Sequence, residues 1–166
     1  MRNANTPERA ASEPRLSASA VYDAADGGAI ASARAFTTDF LASVRTVRGE
    51  PVPDDRADLA RLVVSELVTN AVRHAPGPCR LLLDVRRNVL EISVIDGTSA
   101  APVPRAHDPR RIGQHGVEII VAVCESVTVE PHPDGKRVLA RLPLIPSRAG
   151  GAAGARVRER TPAEPA

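Results

Sequence analysis

The chain has 166 residues, 43% of them hydrophobic and 25% charged, enough for one domain with a buried core. A formal net charge of only +2, with 2% aromatic residues and no Trp, argues against direct nucleic-acid binding, because base-stacking faces are almost absent. Two cysteines outside any CxxC pair and no apolar run of spanning length argue against a disulfide framework, a zinc site, a signal peptide and a membrane span, so a cytoplasmic protein is expected.

Residues 1–20 are rich in Ala, Ser, Pro and charge and lack periodicity, and they read as a disordered arm. Ile30, Ala33, Phe36, Phe40, Leu41 and Val44 recur at helical spacing and predict a helix over 29–47. Glu50-Pro51-Val52-Pro53 breaks it. Asp54 or Asp55 is placed to cap a second helix, which runs to about His74 before Pro76-Gly77-Pro78 stops it. Two strands follow over 79–86 and 89–95, joined by a tight turn at Arg87-Asn88. Residues 97–112, with Gly97, three prolines and three arginines, read as a loop. A short apolar helix over 116–125 precedes two strands, 127–130 and 138–144, linked by the turn Pro133-Asp134-Gly135. From residue 146 the chain reads as a disordered tail, which leaves 21–145 as the domain. The order predicts an α+β fold: a two-layer α/β sandwich, its mixed, mostly antiparallel sheet carrying helices on one face.

Three polar clusters interrupt this apolar pattern. Glu66 and Asn70 lie one turn apart on the second helix, within about 40° of each other around its axis. A core-facing helix would carry Leu or Ala there. An ionised Glu with an Asn beside it suits a hydrated hard cation such as Mg²⁺, which takes oxygen ligands and keeps several waters. Two buried polar groups satisfying each other is the plainer alternative. Asp96-Gly97-Thr98 ends the apolar strand. There a carboxylate can accept from an exocyclic amine and Gly97 lets the backbone approach a flat ring; otherwise Asp96 is a turn residue. Gly113-Gln114-His115-Gly116 precedes the third helix, where backbone N–H groups and the helix dipole favour phosphate, unless these glycines merely cap. Metal corner, base acceptor and phosphate cradle together describe an ATP site. His74 reads as packing near the helix end and Cys124 as core, while His107, His115 and His132 are too scattered for a metal. Arg105, Arg110 and Arg111 fall in the loop that would form a lid.

Over about residues 28–144 the chain resembles the ATPase domain of the GHKL superfamily, most of all its compact anti-sigma-factor serine/threonine kinases. Glu66-Leu67-Val68-Thr69-Asn70-Ala71 is similar to the N box, Asp96-Gly97-Thr98 to the first G box and Gly113-Gln114-His115-Gly116 to the second, with Val117 following. The resemblance implies ATP and Mg²⁺ as cofactors, with Asn70 on the metal and Asp96 on the adenine amine. It also implies Gly97, Thr98, Gly113, Gln114, His115, Gly116 and Val117 around the nucleotide, and Glu66 as general base. It implies phosphorylation of a small partner protein in transcriptional control, with an anti-sigma antagonist or a sigma factor as partner and a homodimer through the first helix. A catalytically silent, nucleotide-gated partner switch is the alternative, and a detached histidine kinase ATPase domain ranks below it. Arg137 stands where the resemblance places a Thr that supports the adenine-binding Asp.

Overall fold

The computed structural model describes residues 15–23, 25–49, 51–75, 77–98, 114–145 and 157–159. The elements run β1 (Leu16–Tyr22), α1 (Ala29–Arg48), α2 (Asp54–His74), β2 (Cys79–Arg86), β3 (Val89–Asp96), α3 (Gln114–Val123), β4 (Ser126–His132), β5 (Gly135–Pro143) and β6 (Val157–Glu159). The sheet has the order β1-β2-β3-β5-β4-β6. Its first five strands pair antiparallel, and β6 pairs parallel with β4. Helices α1 and α2 pack on each other and over β1, β2, β3 and β5, while α3 packs on α2 and β4. This is the expected two-layer α+β arrangement.

Alternation along the strands builds the core. Cys79, Leu81, Leu83 and Val85 of β2 are buried against the helices, and Arg80 and Arg86 point to solvent. Leu90, Ile92 and Val94 of β3 and Ala140 and Leu142 of β5 continue that face, opposite Val63, Val64, Leu67 and Val68 of α2. The other face carries polar pairs: Arg15 Nε donates to Asp84 at 2.8 Å, Arg141 lies 3.6 Å from Glu91, and Arg137 donates to Ser93 at 2.8 Å. Among the described residues no helix is long and apolar enough to cross a membrane.

Several expectations need correction. The strand β1 occupies residues 16–22, inside what composition assigned to the arm. Its centre, Ser17-Ala18-Ser19-Ala20, is made of small residues, but Leu16, Ala18, Ala20 and Tyr22 alternate with the more exposed Ser17, Ser19 and Val21, and the strand pairs with β2 from Leu16↔Val85 to Tyr22↔Cys79. Likewise β6 falls within the expected tail. The remainder of both arms, and residues 99–113, lie outside the described residues. Pro53, not an Asp, holds the N-cap position of α2, so Asp54 and Asp55 act from the first turn, favourably placed on the helix dipole. His74 is exposed rather than packed, because the basic last turn of α2, Arg73 and His74, faces solvent. Ile30 is 38% exposed, since the buried stripe of α1 runs through Ala29, Ala33, Thr37, Phe40 and Val44. The helix α3 is displaced two residues toward the N-terminus of the expected span.

Cys124, at the end of α3, is buried, and burial with the nearby Glu125 charge pushes its thiol from 9.0 up to about 12. In the unfolded chain the thiol loses its proton above about pH 9, while in the folded protein it keeps it. Its stabilising contribution is therefore complete below that pH and declines as pH rises toward 12, by up to about 1.4 kcal/mol per pH unit. Urea unfolding between pH 9 and pH 10 should cost the wild type on the order of 1 kcal/mol more than Cys124→Ala. Equal losses would mean that the thiol ionises within the fold.

Candidate functional site

The apolar run of β3 ends in a carboxylate. Asp96 is only 3% exposed, on the helix-facing side of the sheet. Its Oδ1 accepts the Thr98 backbone N–H at 3.0 Å, and its Oδ2 lies 3.4 Å from Lys136 Nζ on the neighbouring strand β5. The register opposes Asp96 to Lys136 and Ile95 to Arg137. Successive side chains on a strand alternate faces, so Lys136 joins Asp96 on the helix side. Arg137 bonds to Ser93 on the other. The sequence expectation for Arg137 is thus off by one residue, and Lys136 is the side chain that meets the carboxylate.

Above this pair lies a cavity of about 240 Å³. Its polar lining residues are Asn70, Asp96 and Lys136; the rest of its wall is aliphatic, drawn from α2, β3, α3, β4 and β5. The volume is just below the ~300–1,000 Å³ of sites that enclose a whole drug-sized ligand, which suits a flat ring whose substituent stays outside. Beside Asp96, Thr98 Oγ1 is shielded from solvent and has no hydrogen-bond partner among the described residues. Burial, with the Asp96 charge second, raises the Cys79 thiol above its ordinary value, so that side chain stays a neutral core residue.

Glu66 occupies a different corner. It is half-buried on α2, one turn before Asn70, and does not line the cavity. Its carboxylate rests on Gly116 in the first turn of α3, where an added Cβ would overlap Oε2 and lie 2.8 Å from Cδ. Gln114, His115 and Val117 belong to α3, which begins at the expected glycine cluster; their side chains and Gly113 lie outside the described residues. The lid arginines Arg105, Arg110 and Arg111 also lie outside them. Among the described residues no three His, Cys, Asp or Glu side chains form a metal cage. The donor set fits Mg²⁺ nonetheless, because that ion keeps its waters and takes one or two protein oxygens plus phosphate.

Two residues escaped sequence reasoning. Lys136 would have emerged by counting in twos from the apolar Leu142, Ala140 and Val138. Gly135 is more than a turn residue: at φ +133° it carries the hairpin against the end of β3. A Cβ there would overlap the Asp96 carbonyl and lie 2.8 Å from the Gly97 carbonyl carbon.

These two close approaches should respond differently to alanine. Gly135→Ala meets fixed backbone and a disfavoured φ, so a loss of about 1–3 kcal/mol is expected in urea unfolding. Gly116→Ala meets only the tip of a flexible Glu, so stability should stay within about 1 kcal/mol of wild type while the carboxylate moves. Equal destabilisation by both would contradict this placement of Glu66.

Residues 24–142 match the family model described as the histidine kinase-like ATPase domain. A search of curated proteins gave no match. The matched span covers well over half of the chain and contains α1 through β5 almost whole, with Asn70, Asp96 and Lys136 around one cavity. The chain belongs to the histidine kinase-like ATPase domain family, and its coarse function is that of a nucleotide-binding domain.

Proposed function

We propose that the protein binds Mg-ATP in this cavity and acts as an anti-sigma-type kinase, passing the γ-phosphoryl group to a serine or threonine of a small partner protein in transcriptional control. The observation that carries this reading is the nearly sealed Asp96 carboxylate, paired with Lys136 and facing, with Asn70, a cavity whose remaining wall is aliphatic. The carboxylate already meets the Thr98 N–H and Lys136, but each of its oxygens keeps a second acceptor position, which a hydrogen-bond donor on the edge of a purine can fill. In this reading Asp96 accepts from the base, Gly97 and Thr98 form the wall beside it, and the chain from Gly113 to Val117 brings backbone N–H groups to the phosphates. Asn70 would hold Mg²⁺, which supplies charge neutralisation at the phosphates when bound.

The chemical step assigned to this chain is proton removal. Glu66, one turn from Asn70, accepts the proton of the attacking hydroxyl as that oxygen bonds to the γ-phosphorus. The bond from phosphorus to the bridging oxygen breaks, and ADP leaves with the electron pair. A base placed this way contributes about 10²–10⁴-fold in rate. The partner would be an antagonist of an anti-sigma factor, or a sigma factor itself, and the family resemblance is what supports that part.

A second reading, a silent partner switch that binds nucleotide without transferring phosphate, is favoured by Lys136, which already engages Asp96. Calorimetry with Mg-ATP should give micromolar binding by wild type, lost in both Asn70→Ala and Asp96→Ala. Glu66→Ala should keep that binding and lose acid-stable phosphate transfer to the partner by about 10²–10⁴-fold. Binding without transfer in the wild type, and partner affinity indifferent to Glu66→Ala, would decide for the silent switch.

A further inference from the structure

The pairing of Asp96 with Lys136 bears on which bases the cavity accepts. A lone carboxylate offers acceptors only, and so selects a base edge that presents a donor. Here the carboxylate does not stand alone. Lys136 Nζ lies 3.4 Å from Asp96 Oδ2, and both side chains line the same cavity. An acceptor and a charged donor therefore face a ligand side by side. The ammonium carries three hydrogens, and apart from Asn70 the wall, formed by residues such as Val94, Ile120 and Val138, is aliphatic and offers them no acceptor.

A purine can meet such a pair in two ways. Adenine presents its 6-amino hydrogen to Asp96 and its N7 lone pair to Lys136. A 6-oxopurine presents its N1 hydrogen to Asp96 and its 6-oxygen to Lys136, by a small shift of the ring in its own plane. Without the lysine, the 6-oxygen would have no donor among the aliphatic side chains. Guanine differs from hypoxanthine by a 2-amino group that needs a further acceptor. The other carboxylate oxygen, Asp96 Oδ1, already accepts the Thr98 N–H at 3.0 Å, so a 2-amino hydrogen would have to share it with Thr98. The other hydrogen of the 2-amino group would face the aliphatic part of the wall unpaired, which is penalised far more than a missing favourable contact.

We propose that Lys136 is a specificity-determining residue that opens the base site to 6-oxopurine nucleotides lacking a 2-amino group, with inosine triphosphate as the type, alongside ATP and against GTP. This inference rests on the reading of the cavity as a nucleotide site.

The test is calorimetric binding of ATP, ITP and GTP, each with Mg²⁺, to the full chain as wild type, Lys136→Met and Lys136→Arg. Methionine keeps the stem and removes the donor, whereas arginine keeps a donor. Wild type should bind ITP within about tenfold of ATP and GTP more than about tenfold more weakly than ITP. Lys136→Met should lose at least about tenfold more affinity for ITP than for ATP, and Lys136→Arg should restore ITP toward the wild-type ratio. Because each comparison is a ratio within one protein, a partly inactive variant does not disturb it. Were Lys136→Met not to fold, the wild-type ratios alone would decide. ATP binding with ITP more than tenfold weaker, ITP no better than GTP, or equal losses of ATP and ITP in Lys136→Met would overturn the inference and leave the nucleotide site standing. Failure of the wild type to bind any of the three would remove both.

Discussion

The structure turns on a carboxylate held out of water at the end of β3. Taking an ion the size of the Asp96 side chain into a protein interior costs several kcal/mol unless geometry compensates. The compensation comes from the Thr98 N–H on one oxygen and the Lys136 ammonium on the other. Both depend on close approach of backbone. The β4–β5 turn comes so near to Asp96 and Gly97 that only a glycine fits at residue 135. That approach, in turn, depends on the register of β3 with β5. A slip of one residue would send Lys136 to the open face of the sheet and Arg137 into the cavity. The register is held by Leu90↔Leu142 and Ile92↔Ala140, pairs buried on the helix side. Ordinary core packing of the sheet thus sets the polarity of the site.

How far this was legible follows from which residues break a pattern. Asn70 and Asp96 were readable because each is a polar residue where the local apolar period demands a hydrophobe, one on a helix and one on a strand. The two long helices were readable from their recurrent apolar positions and from the proline-containing segments that bound them, Glu50–Pro53 and Pro76–Pro78. The strand β1 was not, because Ser17-Ala18-Ser19-Ala20 alternates between residues that differ little in hydropathy, and its pairing with β2 comes from far along the chain. Lys136 was missed through parity. The charged pair Lys136-Arg137 gives no hint by itself of which member points inward; the apolar Val138, Ala140 and Leu142 further along the strand share the parity of Lys136 and carry that hint. The register with β3 confirms it by setting Lys136 opposite Asp96. Glu66 was legible as a partner of Asn70, but its contact with Gly116 joins two elements separated by the whole central sheet hairpin, and no local rule predicts it.

The site is consequently divided along one helix. On α2, Asn70 borders the cavity, and Glu66 lies one turn back, about 6 Å along the axis, against the start of α3. A nucleotide is itself a divided ligand, with a flat, weakly polar base at one end and charge at the other. A largely aliphatic cavity holding the Asp96–Lys136 pair suits the first, and a carboxylate resting against Gly116 at the start of α3 suits the second. The spacing between these ends is fixed by a rigid helix rather than by loops. Val63, Val64, Leu67 and Val68 are buried around the same turns that carry Glu66 and Asn70. Rotation of α2 to move either polar group would pull those side chains from the core. The polar residues of α2 therefore need no hydrogen bonds of their own to stay in place. Their aim is inherited from the packing of their neighbours, which leaves the hydrogen-bonding capacity of the carboxylate and the amide to the nucleotide proposed above.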